Sequence, residues 1–109
     1  MIAIGDMRQW RELGGTAIIR KDVAFAEYFE LDSTLLELVQ PEIVLSPVFS
    51  SNFDCADLSL RLSDLGFTGS YRALATELPR PAMVEREIRV LCPTLDFAIA
   101  DLHDLYRSV

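Results

Sequence analysis

The stretch that decides the fold runs from Pro41 to Thr76 and reads PEIVLSPVF (41–49), SSNF (50–53), DCADLSLRLSDLG (54–66) and, after a short turn, YRALAT (71–76). The first part is a short apolar run bounded by prolines, a pattern that favours a strand buried on both faces of a parallel sheet. The third part is an amphipathic helix, because leucines recur at i, i+4 and i+7 while charged residues occupy the opposite side. The last part is again apolar. The stretch therefore predicts a strand, a helix and a second strand in succession.

The predicted helix has residues at both ends that can cap or end a helix. Asp54 or Asn52 can cap its amino end through a side-chain oxygen, and the sequence leaves both open. Gly66 can end it, because glycine readily adopts the left-handed conformation found after a helix C-terminus. The helix is thus expected to begin just after the loop 50–53.

Strands and helices also alternate in the rest of the chain. The further predicted strands are residues 1–5, 16–20, 23–29 and 95–102, and the further predicted helices are residues 6–14, 32–40 and 81–92. The runs 16–20 and 23–29 form either a hairpin or one longer, interrupted strand, and the sequence leaves both open. In the last helix, the spacing predicts that Val84, Ile88 and Leu91 are buried.

This alternation determines the expected fold class. Strands followed by helices of such length indicate right-handed βαβ units around a mainly parallel sheet. We therefore expect one α/β domain over residues 1–109, with a three-layer, doubly wound fold of about five strands. The place of residues 1–22 in that sheet is left open.

Composition and charge exclude several classes of function. The chain has 17 acidic and 10 basic residues and a net charge of −7, so it repels phosphate backbones and no nucleic-acid partner is expected. No apolar run approaches the roughly 18 residues of a membrane span, and the N-terminus lacks a secretory pattern, so we expect a cytoplasmic protein with no membrane partner. Cys55 and Cys92 lack metal-ligand spacing, which predicts two small buried side chains and neither a metal nor another cofactor.

The pattern around the deciding stretch resembles a response-regulator receiver domain, which has the flavodoxin-like fold. A proline and an acid before an apolar strand, at Pro41 and Glu42, resemble the start of the third receiver strand. Residues 65–69 and 72–76 resemble the end of the third helix and the fourth strand. The likeness covers residues 23–102 and implies the same fold as the alternation of elements.

The resemblance also implies which residues receiver chemistry needs, and most are missing. The family accepts a phosphoryl group on a carboxylate at the end of the third strand, where this chain has Ser46 or Pro47, depending on register. It holds Mg²⁺ with a pair of acids after the first strand, where only Asp6 stands, and it uses a lysine after the fifth strand, whereas the single lysine here is Lys21. Thr76 matches the switch hydroxyl in one of two registers. The resemblance thus implies a pseudo-receiver that is not phosphorylated on aspartate.

A candidate site follows from the predicted topology. Ligands of open α/β sheets usually bind beyond the carboxyl ends of the strands, which here places a site at the loop 46–53. Hydroxyl, amide and backbone donors near a helix N-terminus can receive an anion, and helix capping is the alternative use of the same groups. A charge inside a predicted strand, such as Arg72, lies near an end of the strand, faces a cleft or pairs with an acid such as Glu77. The candidate ligand or partner rim consists of Ser46, Ser50, Ser51, Asn52, Arg72 and Thr76.

Two hypotheses of different class follow. The first is a non-catalytic domain that binds a protein partner or a second copy of itself, as a homodimer, in signalling or as a scaffold. The second is a small-molecule or nucleotide-binding domain that uses the loop 46–53. A hydrolase with His103 as its base is the weakest alternative, because no G-x-S-x-G turn is present, and the sequence does not predict an enzyme.

Overall fold

Five parallel strands form the centre of the protein, in a computed structural model that describes residues 1–14, 23–75 and 78–101. The strand order is β2-β1-β3-β4-β5, and every neighbouring pair is parallel. The strands are β1 (Ile2–Ile4), β2 (Ala24–Ala26), β3 (Ile43–Pro47), β4 (Ser70–Ala75) and β5 (Asp96–Asp101). The predicted α/β class and parallel sheet are confirmed, and residues 1–5 supply a central strand.

Helices connect the strands in the described part of the chain. They are α1 (Met7–Gly14), α2 (Ser33–Val39), α3 (Cys55–Asp64) and α4 (Pro81–Leu91), and a short 3-10 turn covers Tyr28–Glu30. The predicted run 23–29 therefore divides into a three-residue strand and this turn. The predicted strand over 16–20, and with it the choice between a hairpin and one interrupted strand, lies outside the described residues.

The helices cover both faces of the sheet, which gives three layers. On one face, Val44 of β3 packs in a large apolar cluster with Leu58 of α3 and Ile88 of α4. On the other face, the neighbouring Leu45 packs in a smaller cluster with Trp10 of α1. Because successive strand residues point to opposite faces, the continuous apolar run of β3 is buried on both sides, as a doubly wound sheet requires. The arrangement is consistent with the flavodoxin-like fold.

The ends of α3 follow the predicted capping chemistry. The Asp54 carboxylate accepts a hydrogen bond from the Asp57 amide at 2.9 Å, and the Asp57 carboxylate accepts one from the Asp54 amide at 3.0 Å. Of the two predicted caps, the residue used is therefore Asp54. Gly66 follows the helix with φ +74, a left-handed conformation that glycine adopts without a Cβ clash.

One prediction about α4 is wrong. Ile88 is buried and Val84 is half-buried, but the Leu91 side chain is 50% exposed. The buried stripe instead continues from Ile88 to Cys92, one helical turn later, so the helix is rotated away from the Leu91 side. Leu91 consequently belongs to the outer surface of α4.

Candidate functional site

The strand order locates the crevice in which a sheet of this type usually binds its ligand. The order reverses between β1 and β3, so the loops that leave their carboxyl ends separate there. Gly5 follows β1, and Pro47 is the last residue of β3. These two positions flank the candidate site.

The indole ring of Trp10 closes this crevice. Trp10 is fully buried, and its position is such that a Cβ at Gly5 would lie 3.2 Å from Trp10 Nε1 and 3.4 Å from Pro47 Cδ. Gly5 has φ +145, a conformation that side chains with a Cβ rarely adopt. The backbone and the indole therefore leave no room for a larger residue after β1.

Within the described residues, this crevice contains no carboxylate cluster. Asp6 is the acid nearest to the end of β1, and its Oδ1 accepts a hydrogen bond at 2.8 Å from the amide of Arg8 at the start of α1. No group of three or more histidine, cysteine, aspartate or glutamate residues in the described ranges is arranged to hold a metal ion. The crevice thus contains apolar packing, a capped helix start and the buried Nε1 of Trp10, which has no hydrogen-bond partner among the described residues.

The first candidate rim residue, Ser46, points into the core. Its side chain is fully buried, and its hydroxyl forms hydrogen bonds with the Tyr71 hydroxyl and, at 2.8 Å, with the carbonyl oxygen of Pro47. Burial raises the pKa of the Tyr71 hydroxyl, which therefore remains protonated at ordinary pH. Ser46 and Tyr71 form a satisfied polar pair inside the sheet, and Ser46 is not available to a ligand.

Three other candidates lie together in the loop between β3 and α3. An antiparallel bridge joins Phe49 to Asp54, and the Ser50 amide donates to the Phe53 carbonyl oxygen at 2.9 Å. The Phe49 carbonyl oxygen also accepts a hydrogen bond at 2.6 Å from the side chain of Gln9 in α1. The loop is a closed hairpin with Ser51 and Asn52 exposed at its tip and Ser50 half-buried.

The helix N-terminus next to this loop is unsuited to an anion. Asp54 and Asp57 use each other's backbone amides in a capping box, so the first turn of α3 already carries two carboxylates. These negative charges interact favourably with the helix dipole and repel a phosphate or another anion. The structure therefore favours capping, the alternative reading of this segment.

Arg72 lies away from the loop rim. Its guanidinium binds Asp96 at the amino end of β5, with Nη2 and Oδ2 3.3 Å apart, and it also donates to the Asp96 carbonyl oxygen at 2.9 Å. A hydrogen bond from Ser70 and the Arg72 charge lower the pKa of Asp96. Arg72 pairs with an acid, but the partner is Asp96, and Glu77 lies outside the described residues. Arg72 therefore points toward the edge of the sheet opposite to the candidate site.

The predicted rim is thus divided among several places. Ser50, Ser51 and Asn52 are brought together, Ser46 is in the core, and Arg72 is at the amino-end edge. Thr76 lies outside the described residues. Two residues near the candidate site were not predicted from the sequence. They are Trp10, which is buried at the crevice, and Tyr71, whose hydroxyl bonds to Ser46. The one available signal was that Trp10, the single tryptophan, lies about one turn into the predicted helix that follows the first strand.

A shallow cleft of about 500 Å³ lies at the opposite edge of the sheet. It is formed by the end of α2 and by the turn between α3 and β4, and its lining includes Glu37, Glu42 and Phe67. None of the predicted rim residues contributes to it. The two carboxylates in its lining repel anions.

No protein-family model, curated protein or solved structure matches this chain. Among the described helices, none has both the length and the apolar character needed to cross a membrane.

Proposed function

We propose that this chain is a non-catalytic, receiver-like domain of the cytoplasm that acts in regulation or as a scaffold by binding proteins. The observation that carries the proposal is the buried indole of Trp10 against Gly5 and Pro47, at the place where this topology usually binds its ligand. A site filled by a fully buried side chain supports a fold that is used for its outer surfaces. The two cysteines are free thiols, which agrees with a reducing compartment.

The residues at the end of β3 also oppose phosphoryl transfer. An acyl phosphate forms on a carboxylate oxygen, and the two residues in question are a serine whose hydroxyl is buried and a proline with no nucleophile. The acid after β1 is single and caps α1, and no group of three or more histidine, cysteine, aspartate or glutamate residues in the described ranges is arranged to hold a metal ion. The residues at the end of β3 therefore support a domain that is not phosphorylated on aspartate.

A phosphorylation assay tests the non-catalytic part of the proposal. The protein is incubated with acetyl phosphate and Mg²⁺, and its intact mass is recorded. We expect no phosphoryl adduct on the wild-type chain and none on the variant Pro47→Asp, because Trp10 still occupies the space beside residue 47. A phosphoryl adduct on the wild-type chain that is lost on treatment with hydroxylamine, as an acyl phosphate is, would contradict the proposal.

Native mass spectrometry separates protein binding from the binding of a small molecule. Spectra of the purified protein without added ligand, over a range of concentrations, report both stoichiometry and any retained mass. We expect no reproducible extra mass on the monomer, because the loop 46–53 is closed and the carboxylates of Asp54 and Asp57 beside it repel anions. A retained small molecule would favour the second hypothesis, a ligand-binding domain.

A further inference from the structure

The outer face of α4 exposes several large apolar side chains to solvent. Val90 is 78% exposed, Leu91 is 50% exposed and Met83 is 49% exposed, all on one helix of 11 residues. Together with Arg86 and Glu87, the last two apolar positions form a shallow concavity of about 420 Å³. Such a patch on a small acidic protein indicates a contact surface.

Two charges flank the apolar line of this face symmetrically. Met83 and Val90 are seven residues apart and lie almost one above the other, since the helix turns about 100° per residue. Arg86 and Glu87 then lie about 50° to either side of that line, at nearly the same height. Both side chains are exposed, and within the described residues neither takes part in an ion pair. The face therefore presents an apolar centre with one positive and one negative flank.

We infer that this face binds the same face of a second copy of the chain, with the two α4 helices side by side and parallel about a two-fold axis. The inference deepens the proposed function by naming the partner. In a parallel pair the left flank of one helix meets the right flank of the other, so each Arg86 faces Glu87 of the second copy. In an antiparallel pair each flank meets its own copy, which places arginine beside arginine and glutamate beside glutamate. Charge complementarity thus selects the parallel arrangement.

The size of the patch determines the expected affinity. One face of an 11-residue helix buries well under the roughly 1,200 Å² that separates stable interfaces from weak ones. The dimer should therefore depend on protein concentration, and added salt should weaken it because two exposed ion pairs cross the interface. Sedimentation velocity over a wide concentration range measures both effects.

A matched pair of variants tests which surface is used. Val90→Glu places two carboxylates at the centre of the interface and should leave a folded monomer at concentrations where the wild-type chain dimerises. Leu38→Glu is the control, because Leu38 on α2 is 79% exposed, almost the same as Val90. Dimerisation of Leu38→Glu should be unchanged. Equal behaviour of the two variants, or a wild-type chain that stays monomeric at all concentrations, would overturn the inference.

Charge exchange and cross-linking test the orientation. Arg86→Glu and Glu87→Arg should each weaken the dimer about tenfold, because two attractive contacts become repulsive, and the double variant should recover wild-type affinity. Val90→Cys should form an intermolecular disulfide on mild oxidation, since a parallel pair brings both copies of residue 90 to the two-fold axis, and Leu38→Cys should not. Single charge variants as tight as wild type would overturn the parallel arrangement.

The proposed non-catalytic function and the proposed α4 dimer can be refuted independently. A monomer that accepts no phosphoryl group contradicts the α4 dimer and leaves the non-catalytic domain standing. A dimer that is phosphorylated on an acidic residue contradicts the non-catalytic domain and leaves the α4 contact standing.

Discussion

Replacing Ser46 with alanine distinguishes a structural serine from a ligand-binding one. The Ser46 hydroxyl is fully buried and bonds to both the Tyr71 hydroxyl and the Pro47 carbonyl oxygen. Ser46→Ala removes the only hydrogen-bond partner that the Tyr71 hydroxyl has among the described residues, and leaves that hydroxyl buried. A buried polar group without a partner costs about 1–3 kcal/mol of folding free energy.

The reciprocal change, Tyr71→Phe, should cost less. The Ser46 hydroxyl then still donates to the Pro47 carbonyl oxygen at 2.8 Å, so no orphaned group is created. The loss is that of one ordinary hydrogen bond, about 0.5–1.5 kcal/mol. The double variant should cost clearly less than the sum of the two single changes, because it leaves no unpaired hydroxyl at residue 71. Since burial keeps the tyrosine protonated, the pattern should not change between pH 6 and about 9.

Urea unfolding followed by the fluorescence of Trp10, the single tryptophan, measures all four free energies of unfolding. Thermal unfolding provides a second measure, at about 4 °C per kcal/mol for a domain of this size. The reasoning is refuted if Ser46→Ala costs no more than Tyr71→Phe, or if the two effects add. It is also refuted if Ser46→Ala leaves stability unchanged and abolishes binding of a retained small molecule.

Three further comparisons of variants test other features by the same unfolding measurements. Gly5→Ala should cost about 1–3 kcal/mol of folding free energy, since the residue has φ +145 and its Cβ would press on the buried indole. Gly66→Ala is the control and should cost about 1 kcal/mol, because the residue has φ +74 and no atom lies within 4 Å of its Cβ. Similar losses for the two variants would contradict a crevice filled by Trp10. Asp54→Ala should remove about 1 kcal/mol of capping energy and Asn52→Ala almost none. A larger loss for Asn52→Ala than for Asp54→Ala would show that Asp54 is not the cap. Hydrogen bonds from its serine and arginine neighbours lower the pKa of Asp96 from 3.8, so its stabilisation is present above the unfolded pKa and is lost as pH falls through the folded pKa. Asp96→Asn should therefore destabilise at pH 7 by less than about 1 kcal/mol, because the pair is exposed, and not at pH 2; an equal loss at both values would contradict an ionic origin.

Most of the fold could be predicted from the sequence because its signals are local. The apolar run that became β3, the leucine spacing of α3 and the acid at its amino end each specify a few turns of backbone without reference to the rest of the chain. The rules for connections between parallel strands then restrict the topologies that these elements can form. The bounds of β2 could not be predicted from the sequence, since only three residues of the predicted run 23–29 pair with β1.

The site was less predictable because its contacts are not local. In β3 nearly every residue is apolar, so the sequence carries no period that shows which face Ser46 points to. The pairing of Arg72 with Asp96 joins residues 24 apart in the chain, and it depends on the register between β4 and β5. The packing of Trp10 against the residue after β1 depends on the angle of α1, which no residue pattern specifies.

The position of Trp10 also limits where a partner can bind. Opening the crevice would expose a fully buried tryptophan, and removing such a side chain from a core costs about 3–5 kcal/mol. A weakly binding partner cannot supply that free energy at the crevice, whereas on the outer face of α4 it meets Met83 and Val90 already exposed and displaces only water. The same helix is held to the sheet by Ile88, on its opposite side, so its outer face can change without loss of the core. Binding at α4 would therefore require no rearrangement of the core.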